Sequence, residues 1–248
     1  MKIFLTGING KMGKAIVSVA ENTEGVEIVG GLDVVKGGAY PVFSCASEVN
    51  VEYDCIVDFS RPSTLKDVIS LAVARKVPVV IATTGYDKAQ LAEIDELARK
   101  VPVFRSANMS IGVNVVESVL PLLASALDGF DIELVEAHHN QKVDAPSGTA
   151  KQMLEAVEKG LNYKPEYVDG RSGESKRKKG DIGVHAVRGG TIVGEHTVIF
   201  AGDDEIIEIK HTALSRRIFA VGSIKAALFL KGRKAGMYNM TDYLKSNK

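Results

Sequence analysis

The sequence predicts an α/β protein made of two domains, and two patterns carry this prediction. Up to Arg105, short apolar segments alternate with segments whose apolar residues recur at helical spacing. Such alternation is typical of a parallel sheet covered by helices on both faces. After Ser110 the pattern becomes richer in antiparallel-style strands separated by glycine-containing turns. A chain of 248 residues is long enough for two domains of this kind.

The predicted strands of the first domain are short runs rich in apolar residues. In chain order they are Ile3–Thr6, Val26–Leu32, Asp54–Phe59, Pro78–Ala82 and Pro102–Arg105. Helical periodicity predicts the helices between them at Lys11–Glu21, Thr64–Arg75 and Lys88–Lys100. Strands that alternate with helices in this way indicate a parallel sheet.

The second half begins and ends with helical patterns. Helices are predicted at Gly112–Leu127, at Gly148–Gly160 with Ser147 as N-cap, and at Ser215–Lys231. Strands are predicted at Asp131–Ala137, Gly183–Arg188, Thr191–Phe200 and Glu205–Ala213, with a polar loop at Asp169–Asp181. The last helix fits either domain.

Composition excludes several classes of protein. Lys and Arg together number 31, as do Asp and Glu, so there is no general attraction to nucleic acid. The basic run Lys176–Lys179 lies in a polar loop and is typical of a solvated surface. No apolar stretch approaches the roughly 18 residues that span a bilayer, and the N-terminus MKIFLTGING lacks the apolar core of a signal peptide. We expect a cytoplasmic protein with neither a nucleic-acid nor a membrane partner.

Metal and disulfide chemistry are not expected. Cys45 and Cys55 lie ten residues apart without a Cys-x-x-Cys pair, which predicts neither a disulfide framework nor a zinc site. His138 and His139 are adjacent, and adjacent side chains of an extended chain point in opposite directions. We therefore predict that no metal is bound.

A glycine-rich segment, Gly7-Ile8-Asn9-Gly10-Lys11-Met12-Gly13, joins the first predicted strand to the first predicted helix. Glycines there allow a tight turn and let a pyrophosphate approach the N–H groups at the helix N-terminus. The G-x-x-G-x-x-G spacing alone is also compatible with an ordinary turn. Asp33, at the end of the second strand, favours a dinucleotide, because an acid there accepts hydrogen bonds from the adenine ribose.

Three further loops follow strands of the predicted parallel sheet. They are Phe59–Pro62, Ala82–Gly85 and Ser106–Met109. Ligands bind at the carboxyl ends of strands in open α/β sheets, although each loop alone is also compatible with an ordinary strand–helix turn.

Asp33 also bears on which dinucleotide is used. Its carboxylate would repel the 2′-phosphate of NADPH, and the following Val34 and Val35 offer no cation. Lys36 is the only cation nearby in the sequence, and it lacks the forked geometry of arginine. We therefore predict that NADH is preferred over NADPH.

Side chains that can take part in catalysis or binding are most concentrated in Glu136–Thr149, whose sequence is EAHHNQKVDAPSGT. It combines two histidines, a lysine and a Pro-Ser-Gly-Thr turn that opens a helix. A helix N-terminus with small hydroxylated residues suits a carboxylate, and His and Lys side chains exchange protons in catalysis. The same residues are also typical of a polar loop that caps a helix.

These motifs resemble the 4-hydroxy-tetrahydrodipicolinate reductase family, formerly called dihydrodipicolinate reductase. The resemblance is most specific in EAHHNQKVDAPSGTA. It extends, in the family's order, over GINGKMG, DFSRP, TTGY, SANMSIGVNV, AVRGGTIVGEHTV and SRRIFAVGSIKAAL. Asn140 and Gln141 stand where some members carry Arg and His, and Val34 stands where some carry Arg.

The resemblance implies a fold, an activity and an assembly. It implies a Rossmann-like dinucleotide-binding domain over residues 1–109 and 215–248, and an α+β mixed-sheet domain over residues 110–214. The second domain would bind a dicarboxylate substrate and build a homotetramer. The implied reaction is the NAD(P)H-dependent reduction of (2S,4S)-4-hydroxy-2,3,4,5-tetrahydrodipicolinate to tetrahydrodipicolinate, with loss of water, in diaminopimelate and lysine biosynthesis.

The resemblance also implies roles for residues that match the family's motifs. His138 and Lys142 match the catalytic positions, and their division of labour stays open. Substrate contacts match His139, Lys142, Gly148 and Thr149. Cofactor contacts match Gly7, Ile8, Asn9, Gly10, Lys11, Met12, Asp33, Ala82, Thr83, Thr84, Ser106, Ala107, Asn108 and Met109.

Two other functions fit part of the sequence. A semialdehyde dehydrogenase also has two domains, but its reaction needs a nucleophilic cysteine after the cofactor domain. Cys45 and Cys55 both fall inside that domain. A non-catalytic dinucleotide sensor would need Asp33 but neither His138 nor Lys142. Oxidation of NADH in the presence of freshly generated substrate distinguishes a reductase from a sensor.

Overall fold

The computed structural model describes residues 1–246. Its strands are β1 (Lys2–Thr6), β2 (Glu27–Leu32), β3 (Val42–Phe43), β4 (Cys55–Asp58), β5 (Val79–Ile81), β6 (Pro102–Arg105), β7 (Asp131–His138), β8 (Glu166–Asp169), β9 (Asp181–Arg188), β10 (Gly194–Ala201), β11 (Ile206–Ala213) and β12 (Gly236–Tyr238). Its helices are α1 (Lys11–Ala20), α2 (Leu65–Arg75), α3 (Lys88–Ala98), α4 (Ile111–Ala126), α5 (Gly148–Glu158), α6 (Arg217–Leu230) and α7 (Met240–Ser246).

The chain forms two compact units. Unit 1 comprises Met1–Ile111 and the segment that begins at Arg216, and unit 2 comprises Gly112–Ser215. The sequence-based bounds were 110–214 for the second domain, and the functions assigned to the two domains stay predictions. Over the described part of the chain, no helix is both long and apolar enough to cross a membrane.

Unit 1 is built on one parallel sheet. Its strands lie in the order β12-β6-β5-β4-β1-β2-β3, and every neighbouring pair is parallel. β1 lies between β2 and β4, so the strand order reverses at the carboxyl end of β1, which is where open sheets of this kind bind ligands. The predicted Rossmann-like fold is confirmed.

Helix α6 belongs to unit 1, a point that the sequence left open. Ala220, Ile224 and Ala227 pack in the same buried cluster as side chains of β1 and α1. Gly222 brings this helix against the backbone that follows β6, because a Cβ at Gly222 would lie 1.7 Å from the carbonyl oxygen of Met109.

Unit 2 contains a mixed sheet with the order β11-β10-β7-β9-β8. β10 is antiparallel to β7 and β11, whereas β9 is parallel to β7 and β8. One face of this sheet shares a buried core with α4 and α5, and the alternate positions of β7 and β10 are only half-buried. The predicted α+β mixed-sheet domain is confirmed. Its covered face carries the end of β7 and the start of α5, where the predicted catalytic loop lies.

Several local predictions were incomplete. Strands β3, β8 and β12 and helix α7 were not predicted, and β10 begins at Gly194, three residues after the predicted Thr191. β3 and β8 are the last strands at the edges of their sheets and are too short to show an apolar pattern. The basic run was expected to be solvated, but Arg177 forms ion pairs with Asp131, at 2.8 Å, and with Glu133.

Candidate active site

The turn from β1 to α1 needs glycine at two positions. Gly7 has a φ of +78°, and a Cβ there would lie 2.3 Å from the carbonyl oxygen of Phe59. A Cβ at Gly13 would lie 2.2 Å from the carbonyl oxygen of Gly7. Such distances are shorter than any real carbon–oxygen contact, so the backbone packs this tightly only because both side chains are absent.

Asp33 fixes the glycine-rich turn to the end of β2. Its carboxylate accepts the backbone N–H of Asn9 at 2.9 Å and that of Val35 at 3.0 Å. The side-chain amide of Asn9 donates to the carbonyl oxygens of Val35, at 2.6 Å, and Gly37, at 3.0 Å. The loops that follow β1 and β2 are thus held together by hydrogen bonds.

A groove of about 460 Å³ runs beside this turn. Among its lining residues are Gly7, Asn9, Gly10, Asp33 and Arg61. Helix α1 begins at Lys11, its N-cap Gly10 supplies no side-chain cap, and its first turn contains no acidic residue. Its N–H groups and the positive end of its dipole therefore suit a phosphate group. The predicted residues Gly7, Asn9, Gly10 and Asp33 thus line one groove at the start of α1.

Asp58 was not predicted as a site residue, and it joins the end of β1 to the loops that follow β4 and β5. It is 1% exposed at the end of β4. Its carboxylate accepts hydrogen bonds from the hydroxyls of Thr6 and Ser60, and from Tyr86 at 3.0 Å. Burial, together with the Asp58 carboxylate, raises the pKa of Tyr86 above its ordinary value, so the phenol remains a hydrogen-bond donor.

A second groove in unit 1, of about 350 Å³, lies among the loops that follow β5 and β6. It gathers the predicted residues Thr83, Thr84, Ser106 and Ala107. Arg105 and Asn239 also line it and were not predicted as site residues. Asn239 follows β12, a strand that was not predicted either.

The remaining predicted cofactor residues do not present their side chains to these grooves. The side chains of Ile8 and Met109 lie in the core, and Met12 packs against it. Ala82 and Asn108 are buried, and Lys11 is exposed. The two core side chains can therefore contribute to a ligand site only through their backbone atoms.

In unit 2, His138 belongs to a buried network centred on Glu136. The Glu136 carboxylate is fully buried. One of its oxygens lies 2.6 Å from His138 Nδ1, and the other accepts a hydrogen bond from Ser147 N at 3.0 Å. Arg188, at the end of β9, donates to both carboxylate oxygens, at 2.7 and 2.8 Å. Burial alone would raise the pKa of Glu136, but the hydrogen bonds from Arg188, His138 and Ser147 outweigh it and lower the pKa.

Lys142 is paired with an acid from its own loop. Its Nζ atom lies 2.7 Å from Asp144 Oδ1, and this hydrogen bond is the main reason that the pKa of Asp144 lies below its ordinary value. Arg188 also donates to the carbonyl oxygen of Asp144 at 2.6 Å. The loop with Lys142 is therefore attached to the same arginine that holds Glu136.

Ser147 caps α5 as predicted, and it has a second partner. Its hydroxyl accepts the N–H of Ala150 at 3.1 Å and lies 2.9 Å from His196 Nε2. Gly148 follows and is exposed, and Thr149 lies in the same first turn. The structure thus puts His138, Lys142, Gly148 and Thr149 on one strand end, one loop and one helix start of unit 2, with His139 half-buried directly after β7.

His196 is a neutral histidine in this cluster. It is 4% exposed, and its ring lies 5.1 Å from that of His138. Burial lowers the pKa of His196 to about 4, and the nearby His138 acts in the same direction. The ring therefore carries no charge at neutral pH.

Glu136, Arg188 and His196 were missed as site residues. Glu136 and Arg188 stood in the quoted motifs EAHHNQK and AVRGG, and His196 stood in GEHTV, but no local pattern assigned them a role. Two residues of the network, His138 and Arg188, are register partners between β7 and β9. Within residues 1–246, no group of three or more His, Cys, Asp or Glu side chains is arranged to hold a metal ion.

Family models match both parts of the chain. The model described as the N-terminus of dihydrodipicolinate reductase matches residues 1–109, and that of its C-terminus matches residues 112–244. The chain belongs to the dihydrodipicolinate reductase family. These matches confirm the resemblance drawn from the motifs. Members of this family are NAD(P)H-dependent oxidoreductases.

Relatives in the family cover the full chain. The 4-hydroxy-tetrahydrodipicolinate reductase of Clostridium tetani is 50% identical over 99% of this chain and 98% of its own length. That of Clostridium novyi is 48% identical with the same coverage. The dipicolinate-bound dihydrodipicolinate reductase from Paenisporosarcina sp. TG-14 has a TM-score of 0.79 at 24% identity, and the match covers 96% of this chain and 97% of that one. This last likeness shows the fold.

The low pKa of His196 predicts a stability that depends on pH. The ordinary pKa of a histidine imidazole is 6.5, whereas the pKa of His196 in the folded chain is about 4. Between these values the unfolded chain binds more protons, so the free energy of unfolding decreases as the pH falls below 6.5. At about pH 5 the contribution of His196 to this decrease amounts to about 2 kcal/mol.

Urea unfolding, followed by circular dichroism at about pH 7.5 and about pH 5, measures this contribution against His196→Gln. Glutamine keeps a polar group near Ser147 but does not titrate. The stability difference between wild type and variant should move in the variant's favour at the lower pH. A difference that is the same at both pH values would show that His196 does not cause the effect.

Proposed function

We propose that the chain reduces (2S,4S)-4-hydroxy-2,3,4,5-tetrahydrodipicolinate to tetrahydrodipicolinate with NADH or NADPH and with loss of water. The reaction is a step of diaminopimelate and lysine biosynthesis, and we assign it to the cytoplasm. The observation that carries the proposal is membership in a reductase family over nearly the whole chain, with 50% identity to a relative of that name. The only ligands proposed are the cofactor and a small dicarboxylate.

Unit 1 is proposed to bind the cofactor. The pyrophosphate would be held at the start of α1 beside Gly7 and Gly10, and the adenine ribose would be held by Asp33. The loops with Thr83 and Ser106 would hold the nicotinamide end. When bound, the cofactor supplies a hydride. The fit rests on the glycine-dependent turn, the groove beside it and the uncapped helix N-terminus.

Unit 2 is proposed to bind the dicarboxylate and supply the proton. Gly148 and Thr149, in the first turn of α5, would hold one carboxylate, and His139 would contact the substrate. Reduction of the conjugated imine leaves a ring carbon that must take a proton. Lys142 is the proposed donor, since it matches the family's catalytic position and its Nζ atom is held 2.7 Å from Asp144 Oδ1 in the loop before α5. His138 would supply or orient a proton, or stabilise the developing charge.

We expect Lys142→Ala to lower kcat by about 10²- to 10⁴-fold, which is the usual effect of removing a positioned acid. Loss of NADH absorbance with freshly generated substrate measures the rate. Cofactor affinity, measured by NADH fluorescence, should change little because the proposed cofactor site lies in unit 1.

Lys164→Ala serves as the control for Lys142→Ala. Lys164 is exposed in unit 2 and lies outside the network, so its variant should turn over like the wild type. Equal rates for wild type and Lys142→Ala would remove this lysine from the mechanism. Absence of NADH oxidation by the wild-type protein would overturn the proposed function itself.

We expect NADH to be preferred over NADPH by about 3- to 30-fold in kcat/KM, which corresponds to about 0.6–2 kcal/mol. Asp33 repels a 2′-phosphate, and the exposed Val34 and Val35 line the same groove without a charge. Arg61 also lines this groove, and its guanidinium limits the preference because it can pair with a phosphate.

Steady-state kinetics with each cofactor at saturating substrate tests the preference. Arg61→Ala should weaken the use of NADPH more than that of NADH, and Arg99→Ala, an exposed control directly after α3, should change neither. If kcat/KM with NADPH equals kcat/KM with NADH, a cation offsets the repulsion between Asp33 and the 2′-phosphate. Lys36→Ala then shows whether Lys36 supplies the cation instead of Arg61.

We propose that the protein is a homotetramer assembled through unit 2. The uncovered face of its sheet carries half-buried Val135 and Ile199, and Val187 and Ile206 on β9 and β11 are exposed. An open sheet with such a face is stabilised when another copy covers it. Sedimentation at micromolar concentration should give a species of four 26.6 kDa chains, and Ile199→Asp should weaken it. A wild-type protein that sediments as a single chain would contradict the proposal.

A further inference from the structure

The Glu136 carboxylate lies against one ring nitrogen of His138. Glu136 is fully buried and surrounded by four donors: both terminal nitrogens of Arg188, the backbone N–H of Ser147 and His138 Nδ1. An ionised carboxylate only accepts hydrogen bonds. A contact of 2.6 Å between Glu136 Oε2 and His138 Nδ1 is therefore possible only when Nδ1 carries a proton. In the neutral ring, Nε2 then has the lone pair.

The surroundings of Nε2 are kept open by a missing side chain. A Cβ at Gly194, the first residue of β10, would lie 3.0 Å from His138 Nε2 and 3.4 Å from its Cδ2. Any larger residue at this position would press on the edge of the ring that faces away from Glu136. Glycine at the start of β10 therefore leaves room for a ligand or a water molecule at Nε2.

Arg188 keeps the carboxylate charged and in place. A buried carboxylate is strongly destabilising without a partner, and Arg188 supplies that partner through two parallel hydrogen bonds. The same guanidinium donates to the carbonyl oxygen of Asp144, whose carboxylate holds Lys142. One side chain of β9 is thus bonded to the supports of both proposed catalytic groups.

We propose that Glu136 and Arg188 are positioning residues, which hold His138 as the Nδ1-protonated tautomer with Nε2 available to the substrate. This inference rests on the proposed function for its catalytic consequence, but the tautomer is a property of the protein alone. The two parts are measured separately.

The tautomer is read by ¹⁵N NMR of ring-labelled histidine at about pH 8, where neutral imidazoles are observed. The chain has five histidines, and the spectrum of His138→Asn identifies the signals of His138. In the wild type, Nδ1 should give the signal of a protonated nitrogen and Nε2 that of an unprotonated one. The reverse pattern would overturn the proposal.

Glu136→Gln tests whether the carboxylate sets the tautomer. An amide has one oxygen, and at the place of Oε1 it keeps the hydrogen bonds from Ser147 N and Arg188 Nη2. Its NH₂ group then takes the place of Oε2, loses the hydrogen bond from Arg188 Nη1 and donates to His138 Nδ1. We expect the proton of His138 to move to Nε2. We also expect kcat to fall by about 10²- to 10⁴-fold while KM changes by less than about threefold. Glu166→Gln, at an exposed position on β8, is the matched control and should resemble the wild type in both measurements.

Gly194→Ala provides a test that leaves the carboxylate intact, in case Glu136→Gln does not fold. Its methyl group would crowd Nε2, so kcat should fall by at least about tenfold, with the Nδ1-protonated tautomer retained. The positioning role would be overturned if Glu136→Gln changed the tautomer without changing kcat. It would also be overturned if Gly194→Ala kept full activity. Neither result would contradict the proposed function. A wild-type protein without reductase activity would overturn the function, whatever the tautomer.

Discussion

The ion pair between Glu136 and Arg188 is the constraint around which unit 2 arranges its chemistry. The carboxylate is fully buried, so it is stable there only while its donors remain in place. Those donors come from β7, β9 and the start of α5, and the arginine also holds the carbonyl oxygen of Asp144. A strand end, a loop and a helix N-terminus are thereby fixed relative to one another by a single buried charge.

Unit 1 uses buried and half-buried acids in the same way. Asp58 accepts hydrogen bonds from Thr6, the last residue of β1, and from Ser60 and Tyr86, which follow β4 and β5. Asp33 accepts the N–H of Asn9 and so holds the glycine-rich turn. Loops at the carboxyl ends of parallel strands have no ladder hydrogen bonds of their own. The carboxylates of Asp33 and Asp58 supply fixed acceptors for these loops and hold them in place.

The sequence predicted the parts of the fold and site that depend on local sequence patterns. Buried central strands such as β1 are continuous apolar runs, and the cap at Ser147 is a local hydrogen bond, so both were found. Strands β3, β8 and β12 have two to four residues and carry no readable periodicity. Glu136 and Arg188 are 52 residues apart, and only the register of β7 and β9 brings them together. Local patterns do not contain that register, which is why the supports of His138 were missed.

The pairing of charges in unit 2 also limits how a dicarboxylate would be held. Arg188 is committed to Glu136, and Lys142 is paired with Asp144, so a simple count of cations overstates the positive charge available to a ligand. The Asp144 side chain is 49% exposed, and an ion pair with one solvent-exposed partner contributes little stability. An incoming carboxylate would therefore replace Asp144 more readily than Glu136 as the partner of a cation. On the proposed function, Lys142 would then be the cation that pairs with the substrate, while Arg188 would stay in place and keep His138 oriented.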